Sequence, residues 1–117
     1  MQNGTTIRYC LTSDLKHEPA LIEEYRRWHA SEQIWPDIPQ GIREAGILDM
    51  EIYLLGTRLV MVIEAEAGFD LAQSFSKLST SPRHQAWEKL MSKFQDTKAT
   101  TNVADKWLAM ERIFKLA

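Results

Sequence analysis

The sequence predicts an α+β fold: a ferredoxin-like βαββαβ antiparallel sheet with its helices on one face. Three observations lead there. Residues 7–13 are rich in strand formers, and 49–55, 58–65 and 106–114 alternate apolar with polar, whereas the stretches between them repeat at helical spacing. Gly56-Thr57 sits between two alternating runs, which is a hairpin signal. The 117 residues argue for a single domain over 1–117, and folding a chain of this size buries roughly two-thirds of its surface, enough for one core.

The elements follow in order. Ile7-Arg8-Tyr9-Cys10-Leu11-Thr12-Ser13 reads as the first strand. Residues 18–30 read as a helix, with Pro19 tolerated in the first turn and Glu23 and Glu24 ahead of Arg26 and Arg27. Ile22, Tyr25 and His29 fall at i, i+3 and i+7 and so share one face, flanked by Leu21 and Trp28. Pro36 opens a second short helix with Ile38 and Ile42 as its stripe, and Gly46 closes it. In the hairpin, Met50, Ile52 and Leu54 oppose Glu51 and Tyr53, and Leu59, Met61 and Ile63 oppose Val60, Val62 and Glu64. A helix starts near Phe69 with Leu71, Ala72, Phe75 and Leu78 apolar. Another follows Ser81-Pro82 with Trp87, Leu90, Met91 and Phe94. Residues 95–104 are polar and small, a loop or arm, and residues 106–114 give the last strand. The order β, α, α, β, β, α, α, β becomes βαββαβ when the helices are grouped.

Such a sheet leaves one face without helices. Here that face combines apolar residues with carboxylates, the parity being left open by the pattern. The apolar ones predict a homodimer through the open sheet face, and the carboxylates predict a polar cavity within it.

Net charge is −2 with both signs interspersed, which is no footprint for nucleic acid or an anionic membrane surface. Apolar residues are 44% and charged residues 26%, ordinary for a soluble protein. No stretch approaches the ~20 apolar residues of a membrane span. Met1 to Thr6 lacks the basic and apolar regions of a signal peptide, so a cytoplasmic location is expected. Cys10 is the lone cysteine, within an apolar run, and is expected to be a buried thiol.

The grouping Tyr25, Trp28, His29, Trp35, Pro36 carries the functional signal. An imidazole with a pKa near 6.5 takes and gives protons at neutral pH, and aromatic rings pack on the C–H faces of sugars. A histidine in the last turn of a helix also merely complements the macrodipole, and aromatics at this spacing are also core residues. Glu51, Glu64 and Glu111 lie on strands among apolar residues, where they act as acid or base if they face a pocket and are solvated if they do not. His17 and His84 lie in polar, turn-like contexts and are expected at the surface. The sequence has no HxH, HExxH or CxxC, no Gly-rich phosphate loop and no nucleophile elbow. The expectation is cofactor-free, metal-free proton transfer or binding.

Tyr25-x3-His29, Trp35-Pro36-Asp37 and Gly46-Ile47-Leu48-Asp49-Met50-Glu51-Ile52-Tyr53 together resemble the L-rhamnose mutarotase family, from Ile7 to Leu116. Arg8-Tyr9-Cys10-Leu11 with Asp14-Leu15, and Met50-Glu51-Ile52, are similar to the branch associated with L-fucose. The resemblance implies a dimeric α/β barrel that interconverts the α and β anomers of a 6-deoxyhexose without a cofactor. It implies His29 as the acid/base residue, Tyr25 as a sugar contact and Trp87 in the pocket lining. The chain departs from the rhamnose type in the five residues between His29 and Trp35, in Met50 where that type has tyrosine, and in Glu88 where it has a second tryptophan. L-fucose is therefore as well supported as L-rhamnose.

The expected reaction opens the ring to the aldehyde and recloses it on the other face, with His29 and Glu51 as the catalytic pair and Tyr53 and Glu64 as other partners for His29. Tyr25, Trp35, Tyr53, Glu64 and Trp87 are the expected sugar contacts. Two other readings fit the same architecture: a non-catalytic small-ligand binder, and a cofactor-free monooxygenase with a greasy pocket. Carboxylates in the pocket would favour the sugar.

Overall fold

The computed structural model describes residues 5–96 and 106–116. Among the described residues, four strands and four helices follow the expected order: β1 (Thr6–Asp14), α1 (Pro19–Trp28), α2 (Asp37–Glu44), β2 (Ile47–Leu55), β3 (Arg58–Glu66), α3 (Leu71–Ser79), α4 (Pro82–Met91) and β4 (Leu108–Ala109). The sheet is antiparallel with strand order β2-β3-β1-β4. None of the described helices is long and apolar enough to cross a membrane.

Strand alternation decides which face meets the helices. Leu11, Ser13, Leu59, Met61, Ile63 and Ala65 are buried beneath them, while Cys10, Val60 and Val62 look the other way and are half-buried. Cys10 is thus on the open face and not in the core as expected, because its neighbour Leu11 takes the inward position. Ile47 and Met50 are three positions apart, an odd step that would put them on opposite faces, yet Ile47 is buried and Met50 lines the helix side. A register shift between Ile47 and Asp49 reconciles them, since one extra residue flips the parity of a strand.

Turn chemistry fixes the corners. Gly56 at φ +63° leads the two-residue hairpin turn, a conformation other residues adopt at a cost. Gly46 at φ +103° ends α2, its N–H bonded to the Arg43 carbonyl. Asp70 and Ser81 cap α3 and α4, accepting from the N–H groups of Gln73 and His84.

The last strand is shorter than expected. Only Leu108 and Ala109 pair with β1, opposite Thr12 and Leu11. Met110 adds one more backbone bond, its N–H donating to the Cys10 carbonyl at 2.8 Å. Residues 111–116 continue without ladder partners among the described residues, and Ile113, Phe114 and Leu116 are 89%, 73% and 90% exposed. Alternation was present there, but the single chain offers no neighbouring strand to complete it. Most of the expected arm at 95–104 lies outside the described residues. Gln95 itself is buried and bridges to Leu15.

Candidate active site

Helices α1, α2 and α4 stand off the sheet enough to leave a cavity of about 80 Å³ for the centres of water molecules. One water needs ~10–15 Å³ of such space, so the cavity takes roughly five to eight waters, the scale of a small polar ligand. The sheet contributes Met50, Ile52 and Met61, α1 contributes Tyr25 and His29, and Gln95 and Trp107 close the C-terminal side. Helix α4 supplies His84, Trp87, Glu88 and Met91, which fall at i, i+3, i+4 and i+7 and so form one stripe. A groove outside shares His29, Ile34, Ile42, Met50 and Ile52 with the cavity, making them its rim.

His29 lies just past the end of α1, where its ring reaches back along the helix. Its Nδ1 is 2.9 Å from the Tyr25 carbonyl oxygen. A carbonyl only accepts, so Nδ1 carries the hydrogen and Nε2 keeps its lone pair. The Tyr25 ring stacks beside the imidazole at 4.4 Å, and Trp87 meets it edge-on at 5.5 Å. Burial lowers the His29 pKa from its ordinary value. The backbone bond to Tyr25 and the Glu88 charge oppose that without overcoming it. The imidazole is therefore neutral at neutral pH and starts as a base. Burial and the Glu88 charge push the Tyr25 phenol up, so it stays a donor.

Glu88 is the buried carboxylate of this cavity, 6% exposed. Lys106 Nζ lies 3.0 Å from its Oε1 and also donates to the Glu88 main-chain carbonyl. His84 Nε2 is 3.4 Å from Oε2, near enough to share charge but without a hydrogen bond's geometry. Burial would raise the Glu88 pKa, but His84 and Lys106 outweigh it and the net shift is downward. Burial pulls the Lys106 ammonium down, against the pull of Glu88.

The expected site residues divide between two faces. His29, Tyr25 and Trp87 come together around the cavity. Trp35 stands behind Trp87, edge-on at 5.2 Å, and one of its faces is covered by the Arg83 guanidinium at 3.9 Å. It buttresses the wall. Glu51, Tyr53 and Glu64 project from the opposite side of the sheet. There Tyr53 donates to Glu51 at 2.8 Å, which raises the phenol's pKa, and Glu64 accepts from Thr6 and pairs with Arg8 at 3.9 Å. Strand alternation causes the separation: Met50 and Ile52 occupy the inward positions that flank Glu51. Within one chain these three are not neighbours of His29.

Sequence reasoning missed Glu88 and its partners as site residues, and the expectation of a surface His84 is corrected: it is 6% exposed. The signal was the spacing of 84, 87, 88 and 91, hidden because histidine and glutamate do not count toward an apolar stripe. Among the described residues no cluster of three or more His, Cys, Asp or Glu side chains is arranged to hold a metal.

Comparison with known proteins adds the remaining constraint. The L-rhamnose mutarotase family profile matches residues 8–116. The chain is 37% identical over 110 residues to an L-fucose mutarotase of Xanthomonas campestris pv. campestris, covering 94% of this chain and 88% of that one. It is 33% identical over 112 residues to a UPF0734 protein of Dictyostelium discoideum, covering 92% and 88%. The fold is similar to the crystal structure of an L-rhamnose mutarotase from Formosa agariphila, with a TM-score of 0.71 at 15% identity over 95% of this chain and 99% of that one. A profile match over nearly the whole length, with the cavity built around His29, places the chain in the L-rhamnose mutarotase family of sugar isomerases.

Proposed function

We propose that this protein is a sugar mutarotase that interconverts the α and β anomers of a 6-deoxyhexose, with His29 as its acid/base residue. The observation that carries this is a neutral imidazole, fixed in one tautomer by the Tyr25 carbonyl, at the rim of a small cavity with aromatic walls. Nε2 takes the proton from O1 as the C1–O5 bond breaks and the aldehyde forms. O1 and the ring oxygen are bonded to the same carbon, so the imidazolium delivers that proton to O5 from nearly the same place. After rotation about C1–C2 the steps run backwards on the other face. Each transfer needs Nε2 within about 3 Å of its oxygen, and general acid–base help of roughly 10²–10⁴-fold suffices for a reaction that already runs slowly in water. The Tyr25 phenol donates to a sugar oxygen, and Trp87 packs on the C–H face. The polar groups converging from Tyr25, His29, His84, Glu88 and Gln95 favour a sugar over an aromatic monooxygenase substrate.

L-fucose is the first choice of substrate, on the likeness to the Xanthomonas relative. The test is saturation-transfer NMR on L-fucose and L-rhamnose. His29→Ala should leave the fold intact and lower exchange to the uncatalysed rate. Unchanged exchange would remove His29 from the mechanism.

The assembly we propose is a homodimer through the open sheet face. Its support is the half-buried Val60, Val62 and Cys10 there, together with the exposed Ile113, Phe114 and Leu116, which a second copy would cover. The open-face carboxylates Glu51 and Glu64 would then lie at that interface. The cytoplasm remains the expected compartment, and cell fractionation checks it.

A further inference from the structure

We infer that Glu88 determines the sugar specificity of this cavity: its carboxylate, held by Lys106 and flanked by His84, accepts hydrogen bonds from hydroxyls of the bound pyranose. The inference rests on the mutarotase reading and adds to it the residue that recognises the substrate's hydroxyl pattern.

A cavity wall of this composition carries a cost. Glu88, Lys106 and His84 are 6%, 1% and 6% exposed. Charged groups buried among apolar residues are no more stabilising than well-packed apolar side chains of the same volume. A wall built only for stability would therefore be greasy, as the facing wall of Met50, Ile52 and Met61 is. The polar wall is also incomplete. His84 Nε2 and the Gln95 side-chain oxygen are both buried without a hydrogen-bond partner, and Gln95 is 1% exposed. Buried polar atoms in native proteins are nearly always paired, so these two, lining one cavity, are placed to bond a polar molecule that fills it, water in the free protein and ligand hydroxyls in the bound one.

The chemistry of that ligand follows from the atoms. Glu88 Oε1 takes the Lys106 ammonium, while Oε2 has only His84 Nε2 beside it, at 3.4 Å and outside hydrogen-bond geometry, which leaves Oε2 room for a further donor. An ionised carboxylate only accepts, and a hydroxyl both donates and accepts. A hydroxyl can donate to Oε2 while turning its lone pairs toward neighbouring donors, and a second can donate to the Gln95 oxygen. A pyranose with adjacent hydroxyls meets these needs, with its C–H face on the aromatic and apolar side. The epimer with one hydroxyl inverted leaves an acceptor unmatched, and that mismatch is the source of selection. Lys106 and His84 act through Glu88 and are positioning residues. The groups facing Glu88 are His84 from its own helix, Lys106 from the C-terminal segment, and His29 and Tyr25 from α1. The Glu88 charge supports the protonated form of His29, so this wall also steadies the imidazolium.

The test uses the full chain and Glu88→Gln, which keeps the size and an acceptor for Lys106 but removes the charge. Anomer exchange is measured by saturation-transfer NMR on L-fucose and L-rhamnose. Losing one or two charge-assisted hydrogen bonds should raise KM for the preferred sugar roughly 10–100-fold, more than kcat falls, and narrow the preference between the two sugars. The acidic limb of the rate profile should move to lower pH, because His29 loses a neighbouring negative charge. If KM, preference and profile stay at wild-type values and only the melting temperature drops, Glu88 is a structural tether and the inference is overturned. Should Glu88→Gln fail to fold, Glu88→Gln with Lys106→Met removes both charges and carries the same readouts. If the wild-type chain exchanges neither sugar, tryptophan fluorescence titrated with L-fucose separates the two ideas. Binding that weakens in the variant keeps the role of Glu88 and ends the mutarotase reading. No binding by the wild type overturns both.

Discussion

At the residue scale, the carbonyl of Tyr25 does for His29 what a carboxylate does in many acid/base sites: it fixes which nitrogen holds the hydrogen. Because burial lowers the His29 pKa, the base form persists below pH 6.5, and the acidic limb of kcat/KM should fall below that value in a pH–rate series. The same shift has a stability consequence. Below about pH 6.5 the unfolded chain protonates this imidazole while the folded chain resists, so the unfolded state binds more protons and stability is lost as the pH is lowered. Urea melts at pH 7.5 and 5.5 should show a smaller loss for His29→Gln than for the wild type. Glu88 works in the lower window: its folded pKa is depressed, so its contribution is present above the ordinary value of 4.5 and disappears as pH falls below it.

At the element scale, α4 matters most, because its single stripe of His84, Trp87, Glu88 and Met91 forms one cavity wall. Two devices set its position. Ser81 Oγ accepts from the His84 N–H at 3.3 Å, capping the turn that carries the cluster. Arg83 reaches across to α2, pairing with Asp37 at 2.7 Å while lying over Trp35. Ser81→Ala should lower stability by about 1 kcal/mol in a urea melt, the ordinary value of an N-cap. The exposed Arg83–Asp37 pair adds little by itself, and its stacking on Trp35 is the larger part of its effect. At the end of α2, Gly46→Ala should cost about 1–2 kcal/mol, since its φ of +103° disfavours a side chain and the new Cβ would meet the Phe69 ring at 3.1 Å.

At the scale of the whole molecule, the open sheet face and the exposed residues 110–116 set up the last prediction. Light scattering should give twice the 13.5 kDa chain mass, and deletion of residues 110–116 should shift the population toward monomer. A wild-type monomer would remove the proposed interface. The order of elements, the hairpin at Gly56-Thr57, the helix end at Gly46 and the His29–Tyr25 face were legible in the sequence, because each depends on residues close along the chain. The truncated β4 was not, since alternation marks a residue's fitness for a strand but not whether a neighbouring strand exists. The site was half legible. Spacing and resemblance named His29, Tyr25 and Trp87, and these three line the cavity. Glu51, Tyr53 and Glu64 lie across the sheet from them, and Glu88, His84 and Lys106 entered only through the structure. The sequence by itself therefore determined the fold, the family and the titratable residue at the rim. Tertiary structure decided which carboxylate shares the cavity with it. The physical reason is parity and distance: one step along a strand reverses the face of a side chain, and an ion pair between residues 88 and 106 forms only when packing brings two distant segments together.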